Sequence, residues 1–456
     1  MTELSKHKSI FFVGIGGAGM SALAKVLFGR GYDIGGSDIK ASRNTERLRS
    51  IGVKIIIGHN HENIKGFDLI VFSSAIPHDN PEMLAAKDNG IMTVRRGELL
   101  SWIVNDAYGI SVAGTHGKTT TTSMISLMIE LCDLSPTFII GGELNDVGGN
   151  AKNGSSNIVI CEADESDRSM GLLRPRISVV TNVEEDHLDN FSGMEDIKNL
   201  FEDYLGKLSK DDHAVLCGDD DVLRELSSRL STNVHLYGLG DGNNAVARNF
   251  ELGNMGSSYI FSYNGKDICE VNLKVPGKHN VLNSLAAMSV AHLLDLDLKR
   301  AADSLKNFSG AQRRFEIKGN NNGVLVVDDY AHHPTEVKAT LAAAKIHNAG
   351  RVVAIFQPHR YSRVQALYRQ FGDAFNDADF IIITDIYSAG EKPIPGVNSK
   401  LIVDTVLSSN SRARLAYLPK LKNIQNYLKE YLEPGDMLLT MGAGDVWQVG
   451  EEYLEA

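Results

Sequence analysis

Residues 110–122 read Ile110-Ser111-Val112-Ala113-Gly114-Thr115-His116-Gly117-Lys118-Thr119-Thr120-Thr121-Thr122, and the helix-like run Ser123-Met124-Ile125-Ser126-Leu127-Met128-Ile129 follows directly. An apolar strand that feeds a glycine turn opening a helix aims backbone N–H groups and the positive end of the helix dipole at one point, where a phosphate belongs. The pattern is that of an ATP-binding loop, with the Lys118 ammonium reaching the β/γ-phosphates and the Thr119 hydroxyl on Mg²⁺. Gly114, Thr115, His116, Gly117, Lys118, Thr119 and Thr120 are the expected nucleotide contacts. Val112 stands where the general G-x-x-x-x-G-K-[ST] spacing has glycine, so the loop is a shortened one. The competing reading is a threonine-rich turn that only caps a helix.

Working outward, short β-rich runs alternate with helix-length periodic segments through almost all of the 456 residues, which predicts α/β units around parallel sheets. That length predicts three domains, cut here at 1–104, 105–311 and 312–456. The exception is the stretch around 231–275, where Ser258 to Tyr263, the Asn264-Gly265 turn and Ile268 to Leu273 read as an antiparallel hairpin, expected as a small insertion in the middle domain. A net charge of -11 gives the chain as a whole no attraction to nucleic acid or anionic membrane, so its charged ligands are expected to be small. Cys132, Cys161, Cys217 and Cys269 show no C-x-x-C spacing, which argues against a zinc site or a disulfide framework and fits a reducing compartment. The polar start and the short apolar run Ile10 to Val13 predict neither signal peptide nor membrane insertion, and so a cytoplasmic protein. Oligomeric state is left open, monomer or homodimer.

The other motifs lie at the ends of apolar runs. Ile10-Phe11-Phe12-Val13 leads into Gly14-Ile15-Gly16-Gly17-Ala18-Gly19-Met20-Ser21, a G-x-G-x-x-G turn, with Ser37-Asp38 closing the next run. Such glycines allow close approach of backbone to a diphosphate, and Asp38 is placed to accept from a ribose hydroxyl; the alternative is a tight turn that merely packs helix on strand. With ATP assigned to the middle domain, the first domain is free for another diphosphate such as a nucleotide-sugar, and Ser73-Ser74 beyond the run Leu69 to Phe72 lies where parallel-sheet proteins bind ligands. In the middle domain, Asn157 to Cys161 ends in Glu162-Ala163-Asp164-Glu165-Ser166-Asp167, and Ile177 to Thr181 ends in Asn182-Val183-Glu184-Glu185-Asp186-His187-Leu188-Asp189. Carboxylates at strand ends facing a phosphate loop are the hard ligands Mg²⁺ needs, and Glu162 and His187 come first in register. The alternative is solvated acids and a structural histidine capping the next helices. Asn280 and Asn283 sit one helical turn apart and read either as nucleotide contacts or as a cap plus a polar surface residue. In the last domain, Asp328-Asp329-Tyr330-Ala331-His332-His333-Pro334-Thr335-Glu336 and Gln357-Pro358-His359-Arg360-Tyr361-Ser362-Arg363 each follow an apolar run, with Arg313-Arg314 before both. Arginines there suit a small acidic substrate.

Taken in order, these motifs resemble the Mur ligases over essentially the whole chain. The resemblance implies a Rossmann-like N-terminal domain for a UDP-sugar, a central P-loop ATPase domain, and a Rossmann-like C-terminal domain that closes to bring an amino acid. It implies a reaction in which the lactyl carboxylate of UDP-N-acetylmuramate is activated by ATP as an acyl phosphate and the amine of L-alanine displaces phosphate, in peptidoglycan precursor synthesis. Carried over by position, Lys118, Glu162, His187, His332 and Arg360 are the catalytic set, with Thr119, Glu162 and His187 around Mg²⁺. Asn280, Asn283, Arg314 and Asp329 join the P-loop at ATP. Gly14, Gly16, Gly17, Ala18, Gly19, Met20, Ser37, Asp38, Ser73 and Ser74 face the UDP-sugar. Tyr330, His332, Arg360 and Arg363 face the amino acid. A carbamylated lysine found in part of the family is not carried over, Lys198 being the only nearby lysine. Two other readings stand beside this one: a recycling ligase that joins a tripeptide to the same sugar, and, from other classes, a nicotinamide-dependent dehydrogenase or a non-catalytic ATP switch.

Overall fold

The computed structural model describes residues 3–73, 75–144, 149–186, 190–253, 256–347 and 350–456. Three sheets follow one another along the chain. The first holds β1 (Ser9–Val13), β2 (Asp33–Asp38), β3 (Lys54–Ile57), β4 (Leu69–Phe72) and β5 (Met92–Arg95), all parallel, in the order β3-β2-β1-β4-β5. Ile10 to Val13 are buried without interruption, as a strand covered on both faces requires. The order reverses between β1 and β4, so the glycine turn after β1 and Ser73 after β4 flank the switch point where a ligand enters such a sheet.

The second sheet holds β6 (Tyr108–Ala113), β7 (Thr137–Leu144), β8 (Gly149–Lys152), β9 (Ile158–Glu162), β10 (Ile177–Val180), β11 (His213–Cys217), β12 (Asn233–Gly238), β13 (Ala245–Gly253), β14 (Gly256–Tyr263) and β15 (Lys266–Leu273). Its order is β15-β14-β13-β12-β11-β10-β6-β9-β7-β8, with β6 between β10 and β9 and parallel to both. The hairpin expected around Asn264-Gly265 is present as β14 and β15, in antiparallel register. These strands belong to the middle-domain sheet: β12 remains parallel to β11, β13 joins it through Tyr237 and Gly238, and the antiparallel strands extend the same sheet. A second antiparallel pair, β7 with β8, closes the other edge.

The third sheet holds β16 (Glu316–Asn321), β17 (Val324–Asp329), β18 (Val352–Phe356), β19 (Phe380–Ile383), β20 (Leu415–Tyr417) and β21 (Met437–Met441), in the order β16-β17-β21-β18-β19-β20. Only β16 runs antiparallel to its neighbour. One buried apolar cluster runs without a break from Leu4 to Phe308 through the first two sheets, whereas the third sheet has its own clusters on its two faces. The last domain therefore has apolar clusters of its own on both faces of its sheet. All four cysteines are free thiols, and among the described residues no helix is long and apolar enough to cross a membrane.

Candidate active site

The loop after β6 owes its path to glycine. Gly114 has φ +129°, and a Cβ there would lie 2.1 Å from the Thr181 hydroxyl oxygen; Gly117 has φ +81° and caps the helix Lys118–Leu131, where a Cβ would lie 2.8 Å from Asn283 Oδ1. The loop is tied to the end of β10: Asn182 Oδ1 accepts from the His116 N–H at 2.8 Å, and the Thr181 hydroxyl donates to the His116 carbonyl. Thr115 Oγ1 accepts from the Glu184 N–H at 2.8 Å. The helix begins at Lys118, earlier than the helix-like run at Ser123 suggests, so its free N–H groups face the loop.

Lys118 lies back across this loop, its Nζ donating to the carbonyls of Gly114 and Thr115 and to Glu165 Oε1 at 2.6 Å. Burial opposes its charge, but Glu165, Asp164 and Glu162 together raise its pKa, so it stays an ammonium. Glu162, at the end of β9, accepts from the Gly141 N–H at 2.8 Å and from the Thr119 hydroxyl; burial pushes its carboxyl up. Lys118, Thr119 and Glu162 thus meet at one point. His187 lies outside the described residues.

Two cavities open beside the loop. The larger, of about 400 Å³, is lined by Gly117, Thr120, Asn280, Asn283, Phe308, Arg314, Asp329 and Ala339 among others. Asn280 and Asn283 are both buried, with Asn283 accepting from the Thr121 hydroxyl at 3.1 Å, so the reading of a polar surface residue fails. Asp329, raised to about 6 by burial, accepts from the N–H groups of Phe315 and Ala331, each at 2.7 Å. The smaller cavity, of about 230 Å³, is lined by Lys118, Thr119, Asp186, Tyr330, His332, His359, Arg360 and Arg363 among others. His332 is lowered to about 4 by burial, and its Nδ1 bonds the Tyr330 carbonyl at 3.0 Å, which leaves a neutral ring of fixed orientation. His116, Gly117, Arg314 and Glu336 line both cavities.

Several of the expected site residues have partners within the protein. Arg363 lines the smaller cavity, but its Nε and Nη2 are engaged by Asp186 at 3.2 and 3.3 Å, both side chains being buried. Arg313 faces no ligand space: it donates to Asp328 at 2.9 Å and to the carbonyls of Gly442 and Gly444, stitching the ends of β17 and β21. In the first domain, Asp38 Oδ2 accepts from the Gly16 N–H at 2.8 Å, so it shapes the glycine turn itself. Ser37 is fully buried and donates to Glu82 at 2.7 Å; Met20 is part of the apolar core. Gly17 caps the helix Ala18–Gly29, Gly14 lies against Ser73 and Ile76, and Gly19 lies against Arg96. Ser74 is outside the described residues.

Three residues were not assigned a role from sequence. Arg96 pairs with Asp164 and Asp167, each at 3.2 Å, tying the first glycine turn to the acidic end of β9. Asp186 and Glu336 join the second and third domains. Glu336, in the first turn of the helix Pro334–His347, lies 3.1 Å from His116 Nδ1. Its only sequence signal was an acid in a helix first turn. His116, Glu184 and His333 place donor atoms within 4.8 Å of one another, a spacing a metal ion can use. Although burial opposes it, Glu336 and Glu184 raise the His116 imidazole to about 9, so the proton it keeps already balances these acids.

Comparison with known proteins covers the whole arrangement. The Mur ligase family catalytic domain model matches residues 9–108, the Mur ligase middle domain 112–291, and the Mur ligase glutamate ligase domain 313–444. The chain is 47% identical over 453 residues to the UDP-N-acetylmuramate–L-alanine ligase of Desulforamulus reducens, covering 99% of this chain and 98% of that one. It is 45% identical, at the same coverage, to the ligase of that name from Pelotomaculum thermopropionicum. A crystal structure of a UDP-N-acetylmuramate–alanine ligase from Thermotoga maritima superposes with TM-score 0.83 at 30% identity, over 98% of this chain and 99% of that one. A murein peptide ligase from Psychrobacter arcticus shares the fold, with TM-score 0.74 at 24% identity.

Proposed function

The chain belongs to the Mur ligase family, and we propose from that premise that it joins L-alanine to the lactyl carboxylate of UDP-N-acetylmuramate at the expense of ATP. The observation that carries this reading is the smaller cavity, where Lys118 and Thr119 from the phosphate loop share one space with Tyr330, His332, Arg360 and Arg363 from the last domain. Its volume of about 230 Å³ suits an amino acid beside a terminal phosphate, whereas a tripeptide requires a wider opening. A dehydrogenase gives Lys118 and the acidic strand ends no part to play.

The order of steps follows from the chemistry. A carboxylate is a poor electrophile, and its acyl phosphate carries a good leaving group. In this reading the larger cavity takes the nucleoside of ATP, with Asn280, Asn283, Arg314 and Asp329 around it, and the helix beginning at Lys118 directs its N–H groups at the phosphates. Lys118 leaves its Glu165 contact to follow the charge moving between oxygens. The sugar nucleotide enters along the Gly14 to Gly19 turn, and Arg96 carries that position to the end of β9. Neutral His332 offers a proton acceptor to the attacking amine and Arg360 faces its carboxylate, while Arg363, held by Asp186, borders the same cavity. Closure of the last domain keeps water from the acyl phosphate. Mg²⁺ suits this site: Glu162 is a buried carboxylate in want of a cation, and the Thr119 hydroxyl is beside it. Glu162 and Thr119, with His187 by the family resemblance, would hold the ion, which would supply neutralisation of phosphate charge. We place the domain cuts near 104 and 311 and the reaction in the cytoplasm, where these substrates are expected.

The test is phosphate release by purified protein with ATP and UDP-N-acetylmuramate while L-alanine, glycine, serine and tripeptide are added in turn. Release and a ligated product with L-alanine are expected. Turnover with tripeptide alone would assign the recycling reaction instead.

A further inference from the structure

We propose that Glu336 is a positioning residue of the ligation, coupling the phosphate loop to the amine site through one carboxylate; this rests on the ligase reading above. Its two oxygens do different work. Oε1 faces the P-loop, 3.1 Å from His116 Nδ1, with Arg314 3.6 Å away. Oε2 accepts from the backbone N–H groups of His332 at 3.0 Å and His333 at 3.3 Å, fixing the turn that presents His332 to the smaller cavity. The side chain is largely buried and borders both cavities, where the nucleotide and the amine have to meet.

The charges around it alternate. Glu184 lies 3.6 Å from His116 Nε2 and accepts from the Thr335 hydroxyl at 2.7 Å, so Glu184, His116, Glu336 and Arg314 form a row of acid, base, acid, base across the seam between the second and third domains. One arm of Glu336 is local and survives if the last domain swings out. On the other arm, the contact with His116 exists only when that domain is docked. The carboxylate therefore ties the geometry of His332 to the state of the loop that holds the phosphates. Because its oxygens are already taken by protein donors, it does not itself touch the reacting atoms.

The test is steady-state kinetics on Glu336→Gln, Glu336→Asp and His116→Asn, with wild-type turnover on L-alanine measured first. If the wild type does not ligate L-alanine, it is the ligase reading that fails. Given a working wild type, Glu336→Gln keeps an acceptor for the two backbone N–H groups but loses the charge facing His116. Its KM for L-alanine should rise roughly tenfold to a hundredfold, the span for one charge-assisted hydrogen bond, while KM for UDP-N-acetylmuramate stays within about twofold. More than one phosphate should be released per ligated product, because a loose seam admits water to the acyl phosphate. Glu336→Asp should recover part of the loss, and adding His116→Asn to Glu336→Gln should cost little more than either alone. The proposal is overturned if Glu336→Gln keeps the L-alanine KM and the one-to-one stoichiometry, or if the two losses multiply. It is equally overturned if both substrate KM values rise together with a fall in melting temperature, the mark of a merely structural residue.

Discussion

Gly114→Ala is the sharpest perturbation of the loop, because one methyl group meets two obstacles. At φ +129° an L side chain is strained, and its Cβ would lie 2.1 Å from Thr181 Oγ1. Thr181 cannot give way freely: its hydroxyl is bonded to the carbonyls of Ala113 and His116, the second of which sets the loop. Strain of about 1–3 kcal/mol for the backbone adds to about 1–3 kcal/mol for a buried polar group left without its partner. If the loop escapes by abandoning its nucleotide-binding path, that sum of roughly 2–6 kcal/mol appears as lost affinity, at about 1.4 kcal/mol per factor of ten. Calorimetric titration with ADP should show affinity weakened by more than about thirtyfold, while the fold, measured by circular dichroism, persists. Thr181→Ala in the Gly114→Ala background should recover part of the affinity, since it removes the clash but not the strained φ. Nucleotide binding by Gly114→Ala within about twofold of wild type, a change below roughly 0.5 kcal/mol, would refute the reasoning.

Arg363→Ala should destabilise the protein by about 3–5 kcal/mol, the cost of leaving a buried partner, because Asp186 is as buried as the arginine; urea unfolding should find Arg363→Ala/Asp186→Asn less damaged than Arg363→Ala, with ligation lost in both. Arg96→Ala should change stability by only about 0.5–1 kcal/mol, its ion pairs being partly exposed, yet raise KM for UDP-N-acetylmuramate, because Arg96 stands against Gly19. The seam should also respond to alkali. His116 is a base whose folded value is raised to about 9 by Glu336 and Glu184 against the effect of burial. Its contribution is therefore whole below its unfolded value near 6.5 and is lost as pH climbs through 9, a difference of about 3 kcal/mol at 1.36 kcal/mol per unit. Unfolding free energy measured between pH 6 and 10 should fall further for wild type than for His116→Asn; equal slopes would contradict the assignment.

What was legible in the sequence was local. A glycine turn between an apolar run and a helix fixes where phosphate N–H groups point, and neither Gly114 nor Lys118 needs a distant residue to be recognised. The same holds for Asn280 and Asn283, one turn apart on one helix face, although only the fold shows that face to be buried. What could not be read was set by docking. Glu336 lies 220 positions from His116, and Asp186 lies 177 from Arg363, so neither pairing leaves a spacing to detect. Nor could the sequence show the partners of Ser37 and Asp38 within the protein: a strand end beside a glycine turn can bond the turn as well as a ligand, and Asp38 bonds the turn through Gly16. The antiparallel strands were found, but sequence periodicity carries no information on whether a hairpin stands apart or continues a sheet through β12 and β13.

The acids at the ends of β9 and β10 show how the fold turns one composition into three functions. In sequence they form two runs that all look alike as hard-cation ligands. In the structure they divide by direction: Asp164 and Asp167 turn to Arg96 and the first domain, Glu184 turns to His116 of the phosphate loop and to Thr335 of the last domain, Asp186 turns to Arg363 of the last domain, and Glu162 and Glu165 stay with Thr119 and Lys118. The central sheet thereby holds each flanking domain by carboxylates that are neighbours of those facing the phosphates. A shift of either flank is felt within a few residues of the reacting point. That proximity is a physical reason for a reaction with three substrates to be divided over three sheets, since the strand ends beside the phosphate loop are also the ones in contact with both flanking domains.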